Sequence, residues 1–282
     1  MKILRRAVRI AWQSWRHFQA DHAMQHAAAV AYYSLLSLAP GLYLFFRVLR
    51  GLWPETSIEG IDTALEPYLP GEAGAVLRSL TGDLPHGKGF VAIAVPGLLW
   101  LASAAFGSLE VSINVAFATA PRRRYWLSKL KSVAGVSFLA IVLIVTLLVH
   151  EAITQLAAYD GALKPPFSLA PTAAWVSYVV VLVVTFATFA VLYKALPRGR
   201  VEWTAAAAGG GATLLLWEVA RHVWGGLLAH SPTFGMFTGT LAAVVAFLLW
   251  IFTAVAITLY GAEVAAILNG NRSEAGDPTR RA

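Results

Sequence analysis

Residues 237–268 read FTGTLAAVVAFLLWIFTAVAITLYGAEVAAIL, and Glu263 is the only charged residue among them. At 1.5 Å per residue such a run is longer than the ~30 Å hydrocarbon core of a bilayer needs. The excess predicts a helix that tilts or runs on into the cytoplasm. Working outward, comparable runs lie at 27–49, 90–117, 133–158, 173–196 and 205–228. Lipid tolerates only helices and closed barrels, because every backbone N–H and C=O must find a partner inside the protein. Barrel strands alternate over short stretches, whereas these runs are continuous. The composition agrees. Charged residues make up 13% of the 282 residues and hydrophobic ones 58%, against about 25% charged in a soluble domain; the mean hydropathy is +0.64. The expected fold is all-α, a polytopic membrane protein built as a six-transmembrane-helix bundle.

Charge orients the spans. Lys2, Arg5, Arg6, Arg9 and Arg16 flank one set of ends, as do Arg122, Arg123, Arg124, Lys129, Lys131, Lys194, Arg198, Arg200, Arg272, Arg280 and Arg281. The other side has Arg50, Arg78, Lys88 and Lys164, with Arg47 close to the external boundary. The positive-inside rule then puts both termini in the cytoplasm. It also accounts for the net charge of +7 through contact with anionic headgroups; no nucleic-acid partner is expected.

Three organised regions follow. Residues 1–20 mix Leu4, Val8, Trp12 and Trp15 with arginines and predict an amphipathic helix in the cytoplasmic interface. Asp21 is placed to cap the helix after it. Residues 21–268 form the membrane domain, with a helical external loop at 50–88 broken at Pro70-Gly71. Residues 269–282 read as a disordered cytoplasmic tail. No cleaved signal peptide is expected, and without cysteine there is no disulfide framework.

Ionisable and polar groups at membrane depth are expensive and mark candidate pathways. Glu218, Arg221 and His222 are spaced i, i+3, i+4 on one helical face. They read either as an internal pair that locks packing or as contacts for a substrate or ion. Pro96, Trp100, Ser103, Gly107, Glu110 and Asn114 form a second face, lining a cavity or held by hydrogen bonds against a neighbour. Tyr33, Ser37 and Pro40-Gly41 form a third, with the helix expected to break at Pro40. Glu263, near the cytoplasmic end of its span, is expected to snorkel, cap or pair with an arginine. Gly209-Gly210-Gly211 lies inside an apolar run and predicts close helix packing. An inverted three-plus-three repeat is topologically available, but the halves show no clear self-similarity.

Several stretches together carry a resemblance. They are AAAVAYYSLLSLAPG (27–41), LLWLASAAFGSLEVSINVAFATAPRRR (98–124), VLYKALPRGRVEW (191–203), GGGATLLLWEVARHVW (209–224) and LLWIFTAVAITLYGAEVAAIL (248–268). In this order they resemble the YihY/BrkB family of bacterial membrane proteins, once labelled ribonuclease BN, over residues 20–268. Where members commonly carry a Tyr-Gly pair before the last span, this chain has Phe237-Thr238-Gly239-Thr240. The resemblance implies six spans, a bacterial inner-membrane location, and transport or export of an envelope-related, lipid-like or small organic solute.

The old ribonuclease label finds no support in the residues. The seven histidines form no zinc-spaced cluster, and no glycine-rich loop ends in Lys-Ser or Lys-Thr. No enzyme activity and no cofactor is expected. The reading is a transporter or exporter with a polar cavity between helices, with a non-transporting scaffold in envelope assembly as the alternative. Membrane lipids are the expected partners, and small-residue faces would suit a homo-oligomer.

Overall fold

A computed structural model of the chain describes residues 2–52, 88–119, 134–135, 138, 141–142, 145, 170–230 and 240–271. Six long helices follow in order: α1 (Lys2–Ala20), α2 (Ala23–Leu52), α3 (Lys88–Ala116), α4 (Ala170–Ala195), α5 (Trp203–His230) and α6 (Thr240–Leu268). Among the described residues there is no strand.

Three helices are long and apolar enough to cross a bilayer: α3 over Val95–Ala116, α4 over Trp175–Ala195 and α6 over Val244–Leu268. α2 and α5 coincide with the expected runs at 27–49 and 205–228. Of the expected run at 133–158, residues 134, 135, 138, 141, 142 and 145 are helical and the rest lies outside the described residues, as do 53–87 of the external loop. The helices turn apolar stripes outward. On α4 these are Trp175, Val179 and Val183, and on α5 Leu215, Val219 and Val223, all more than half exposed. Side chains four apart share a helix face. A soluble protein would bury such rows; a membrane protein presents them to acyl chains.

Two expectations are corrected here, at Pro40 and at Asp21. α2 runs unbroken through Pro40-Gly41; α3 also runs as helix through Pro96. A proline costs one i→i−4 hydrogen bond, but an apolar helix in lipid has nothing better to do with its remaining backbone groups than keep them paired. Asp21 ends α1 rather than opening α2, since its N–H donates to His17 O at 2.8 Å. His22 has a left-handed φ of 53°, and its carbonyl accepts the first bonds of α2, from Gln25 and His26.

The chain divides into two compact units. The first comprises Met1–Asp21, Ile113–Leu215 and Thr258–Ala282; the second comprises His22–Ser112 and Leu216–Ile257. In the first unit the core is Phe18, Ile113, Phe117, Leu192, Tyr193, Leu259 and a set of alanines on α5 and α6. Small residues let the helices touch. A Cβ added at Gly209 of α5 would lie 2.6 Å from Gly261 O and 2.7 Å from Ala265 Cβ, both on α6. One added at Gly210 would lie 3.1 Å from Ala190 N on α4. The glycine run therefore packs helices, as its place in the sequence suggests. In the second unit Ala23, Ala27, Val30, Ala31, Phe106, Trp224, Ala246 and Val255 are buried.

Candidate functional site

The first unit holds a polar interior made by residues far apart in sequence. Tyr193 of α4 is fully buried. Its hydroxyl lies 2.6 Å from Thr213 Oγ1 on α5 and donates to Thr258 O on α6 at 2.7 Å. Thr213 Oγ1 in turn donates to Gly209 O at 3.0 Å. Three contacts thus draw on two hydroxyl protons. If both protons serve carbonyls, the two hydroxyl oxygens face each other without one; if one is shared between them, a carbonyl loses its extra donor.

A second layer joins helix ends. Asn114, in the last turn of α3, accepts at Oδ1 from Arg198 N at 3.0 Å and from Thr119 Oγ1 at 2.8 Å. Its Nδ2 donates to Leu196 O at 3.4 Å. Asn269 accepts from Glu202 N at 2.7 Å and donates to Arg200 O at 3.1 Å. Asn271 donates to Phe117 O at 2.9 Å. Asn114 and Asn269 therefore tie the ends of α3 and α6 to the segment that joins α4 to α5, and Asn271 ties the end of α6 to the end of α3. Two of these ends use a left-handed residue to turn away from the helix. At Gly270, φ 81°, the bond from Asn271 N to Ala266 O closes the motif. At Ala118, φ 50°, the bond from Thr119 N to Asn114 O does so. Such caps satisfy carbonyls the helix leaves over. Residues 269–271 are accordingly ordered rather than part of a disordered tail, because Asn-Gly-Asn is capping chemistry; residues 272–282 lie outside the described residues. Lys194 donates to Val201 O and sits over the Trp203 ring at 5.3 Å.

The expected site residues separate. Asn114 belongs to the clamp just described. Glu263 is 1% exposed, so it does not snorkel; it is enclosed on α6 within the first unit. In the second unit Glu110 is 2% exposed, with Ser103 and Ser112 of the same helix also buried. Trp100 of that face is 62% exposed and Pro96 is exposed too, so only the inner part of the face is enclosed. Periodicity defines a face but not how far along it the neighbours reach.

Glu218, Arg221 and His222 form a self-contained turn on α5. Arg221 Nη2 donates to Glu218 Oε2 at 2.6 Å, and His222 Nδ1 lies 2.7 Å from Glu218 O. The pair is open, with side chains 48% and 23% exposed for Arg221 and Glu218, which argues against the internal packing lock, one of its two expected readings. Beside it Trp250 packs against Trp217 at 5.2 Å and Trp224 at 5.8 Å. Tyr33 is half-buried with its ring edge-on to Tyr32 at 5.8 Å. Ser37 Oγ donates to Ser34 O at 2.8 Å. Pro40 lies within α2. Among the described residues no three His, Asp or Glu side chains are placed to share a metal ion.

Sequence reasoning missed Tyr193, Thr213, Asn269 and Asn271. The one available signal was a polar side chain in an otherwise apolar run, Tyr193 before Lys194 and Thr213 shortly after the three glycines.

Outward apolar stripes, three helices of spanning length and a polar interior define a polytopic helical membrane protein. The chain belongs to the Virulence factor BrkB family, whose sequence model matches residues 14–282. It is 28% identical over 257 residues to a UPF0761 membrane protein of Rhodospirillum centenum, covering 89% of this chain and 55% of that protein. Against a UPF0761 membrane protein of Azotobacter vinelandii it is 28% identical over 276 residues, 95% of this chain and 66% of the relative. Against one of Pseudomonas aeruginosa it is 29% identical over 274 residues, 90% and 61%. The chain thus spans somewhat more than half the length of these relatives. No solved structure matches it significantly.

Proposed function

We propose that the chain is a non-enzymatic transporter or exporter of a lipid-like or small organic solute in the bacterial inner membrane, with six spans and both termini in the cytoplasm. The observation that carries this reading is Glu110, 2% exposed on a helix whose apolar stretch is long enough to cross the bilayer. Glu110 lies about 9 Å inside the Ala116 end of that stretch, where burying a carboxylate costs free energy, though less than the ~3 kcal/mol of the span centre. Helix packing alone does not require it; an alanine packs as well. A pathway that handles a proton, a cation or a polar headgroup does require such a group. The buried hydroxyls of Ser103 and Ser112 extend the polar character of the same helix.

The test uses proteoliposomes with two probes: a fluorescent phosphatidylglycerol whose outer-leaflet fraction is bleached by an impermeant reductant, and an internal pH dye. The protein is expected to accelerate at least one of the two signals, and Glu110→Gln to abolish it at equal incorporation. No acceleration of either signal by the wild-type protein overturns the transport reading in favour of the scaffold. That second reading has its own support in the asparagine clamp and the glycine contacts, which tie the first unit together tightly.

A further inference from the structure

α1 has three faces, not two. With a rotation of about 100° per residue, Ser14 and Phe18 fall on one face, and both are buried, at 0% and 3% exposure. Phe18 meets the Tyr260 ring edge-on at 6.3 Å, and the Tyr260 hydroxyl donates to Ala11 O at 3.0 Å. This face docks on α6 within the first unit. A second face carries Val8, Trp12 and Trp15, which are 62%, 63% and 42% exposed. A third carries the exposed Arg5, Arg9 and Arg16, and Arg5 falls next to Trp12 around the helix. An ordinary amphipathic helix docked on a protein would have no need of the second face. Two exposed indoles bordered by guanidinium groups suit the boundary between acyl chains and anionic phosphates, where tryptophan and arginine both settle.

We propose that α1 seats the protein on an anionic phospholipid leaflet, and that its link to Tyr260 fixes where that leaflet ends along α6. The α1 contact puts the boundary at Tyr260, and the last two turns of α6, Gly261–Leu268, stand beyond it; the residues back to Thr240 rise about 30 Å, one hydrocarbon thickness, so enough of α6 remains to span. Glu263 and the three clamp asparagines then belong to a polar cap on the lipid-headgroup side rather than to the membrane interior. The excess length of α6 is explained by projection instead of tilt. The identity of the leaflet as the cytoplasmic one rests on the orientation proposed above; the seating and the boundary do not.

The chain has no cysteine, so single cysteines can be spin-labelled and their depth read from collision with oxygen and with a water-soluble nickel complex. The full-length protein is reconstituted in vesicles of phosphatidylethanolamine and phosphatidylglycerol. Labels at Val8→Cys and Trp12→Cys are expected at the acyl–headgroup border, with high oxygen and low nickel accessibility. Labels at Arg9→Cys and Arg16→Cys are expected to show the reverse, Leu268→Cys to read aqueous and Val245→Cys to read hydrocarbon. Replacing phosphatidylglycerol by phosphatidylcholine is expected to shift the labels at 8 and 12 toward water. Each Arg→Gln change in α1 is expected to lower the seated-to-free ratio about fivefold, the equivalent of ~1 kcal/mol per basic residue. All these positions lie on exposed surface, so folding is not at stake. Equal nickel access at positions 9 and 12 overturns the seating. Exclusion of both reagents at 8 and 12 overturns it too, since a second protein surface then covers the face. Hydrocarbon readings at 268 overturn the boundary, and a pattern unchanged in phosphatidylcholine overturns the anionic preference. Transport failure with this depth pattern intact would dismiss only the function proposed above.

Discussion

The hydroxyl oxygens of Tyr193 and Thr213 lie 2.6 Å apart inside the first unit, where two protons serve three contacts. Such a pair acts as one unit. Tyr193→Phe and Thr213→Val are each expected to lower thermal stability in detergent by about 1–3 kcal/mol. The double variant should cost less than their sum by at least ~0.5 kcal/mol. Strict additivity would show that the two hydroxyls are energetically independent.

The glycines of α5 and α6 are not equivalent. A Cβ at Gly211 meets only the Phe186 ring at 3.9 Å, an ordinary contact. Alanine there gains up to ~1 kcal/mol of helix propensity over glycine, so Gly211→Ala is expected to hold or raise the melting temperature. At Gly209 the added carbon meets Gly261 O at 2.6 Å, and at Gly261 it would overlap Thr213 Oγ1 and lie 2.7 Å from the Tyr193 hydroxyl. Those two substitutions are expected to lose about 1–3 kcal/mol through overpacking. A reversed order in a thermal-shift series would contradict the helix contacts.

Ala118 holds a left-handed φ of 50°, which costs a residue with a Cβ about 1 kcal/mol. Ala118→Gly is expected to recover roughly that amount. Asn114→Ala is expected to cost about 1–3 kcal/mol, because the amide accepts from Arg198 N and from Thr119. Asn114→Asp keeps the oxygen that accepts both bonds but replaces the Nδ2 donor to Leu196 O with a second acceptor, so it is expected to retain only part of the stability. If Asn114→Asp instead leaves stability unchanged but stops transport, the residue has a pathway role beyond the clamp.

Orientation can be read with the same cysteine-free background. Single cysteines at Ser57 and Ser168 are expected to react with an impermeant thiol reagent applied to spheroplasts, and those at Ser128 and Ser273 are not. Labelling at Ser128 from outside inverts the topology.

Much of this architecture could be read along the chain, because it rests on local pattern. The apolar runs mark α2 through α6 within a few residues, and the arginine–tryptophan mixture marks α1. What escaped depends on contacts between distant residues. Asn114 and Arg198 are 84 residues apart, and Asn271 and Phe117 are 154 apart; periodicity carries no information about such partners. Helical spacing did group Glu218, Arg221 and His222 correctly, but it could not tell an open face from an enclosed one. The expected break at Pro40 failed for another reason. A missing hydrogen bond in one turn is a smaller penalty than unpairing several more in lipid.

The touching backbones of Gly209 and Gly261 have a consequence for permeation. With less than a methyl group's width between them, α5 and α6 form a weld at that level, and Gly210 against Ala190 welds α5 to α4 in the same turn. If the protein carries a solute as proposed, its route must skirt α5 at that level, so changes at these glycines would alter helix packing rather than the route itself.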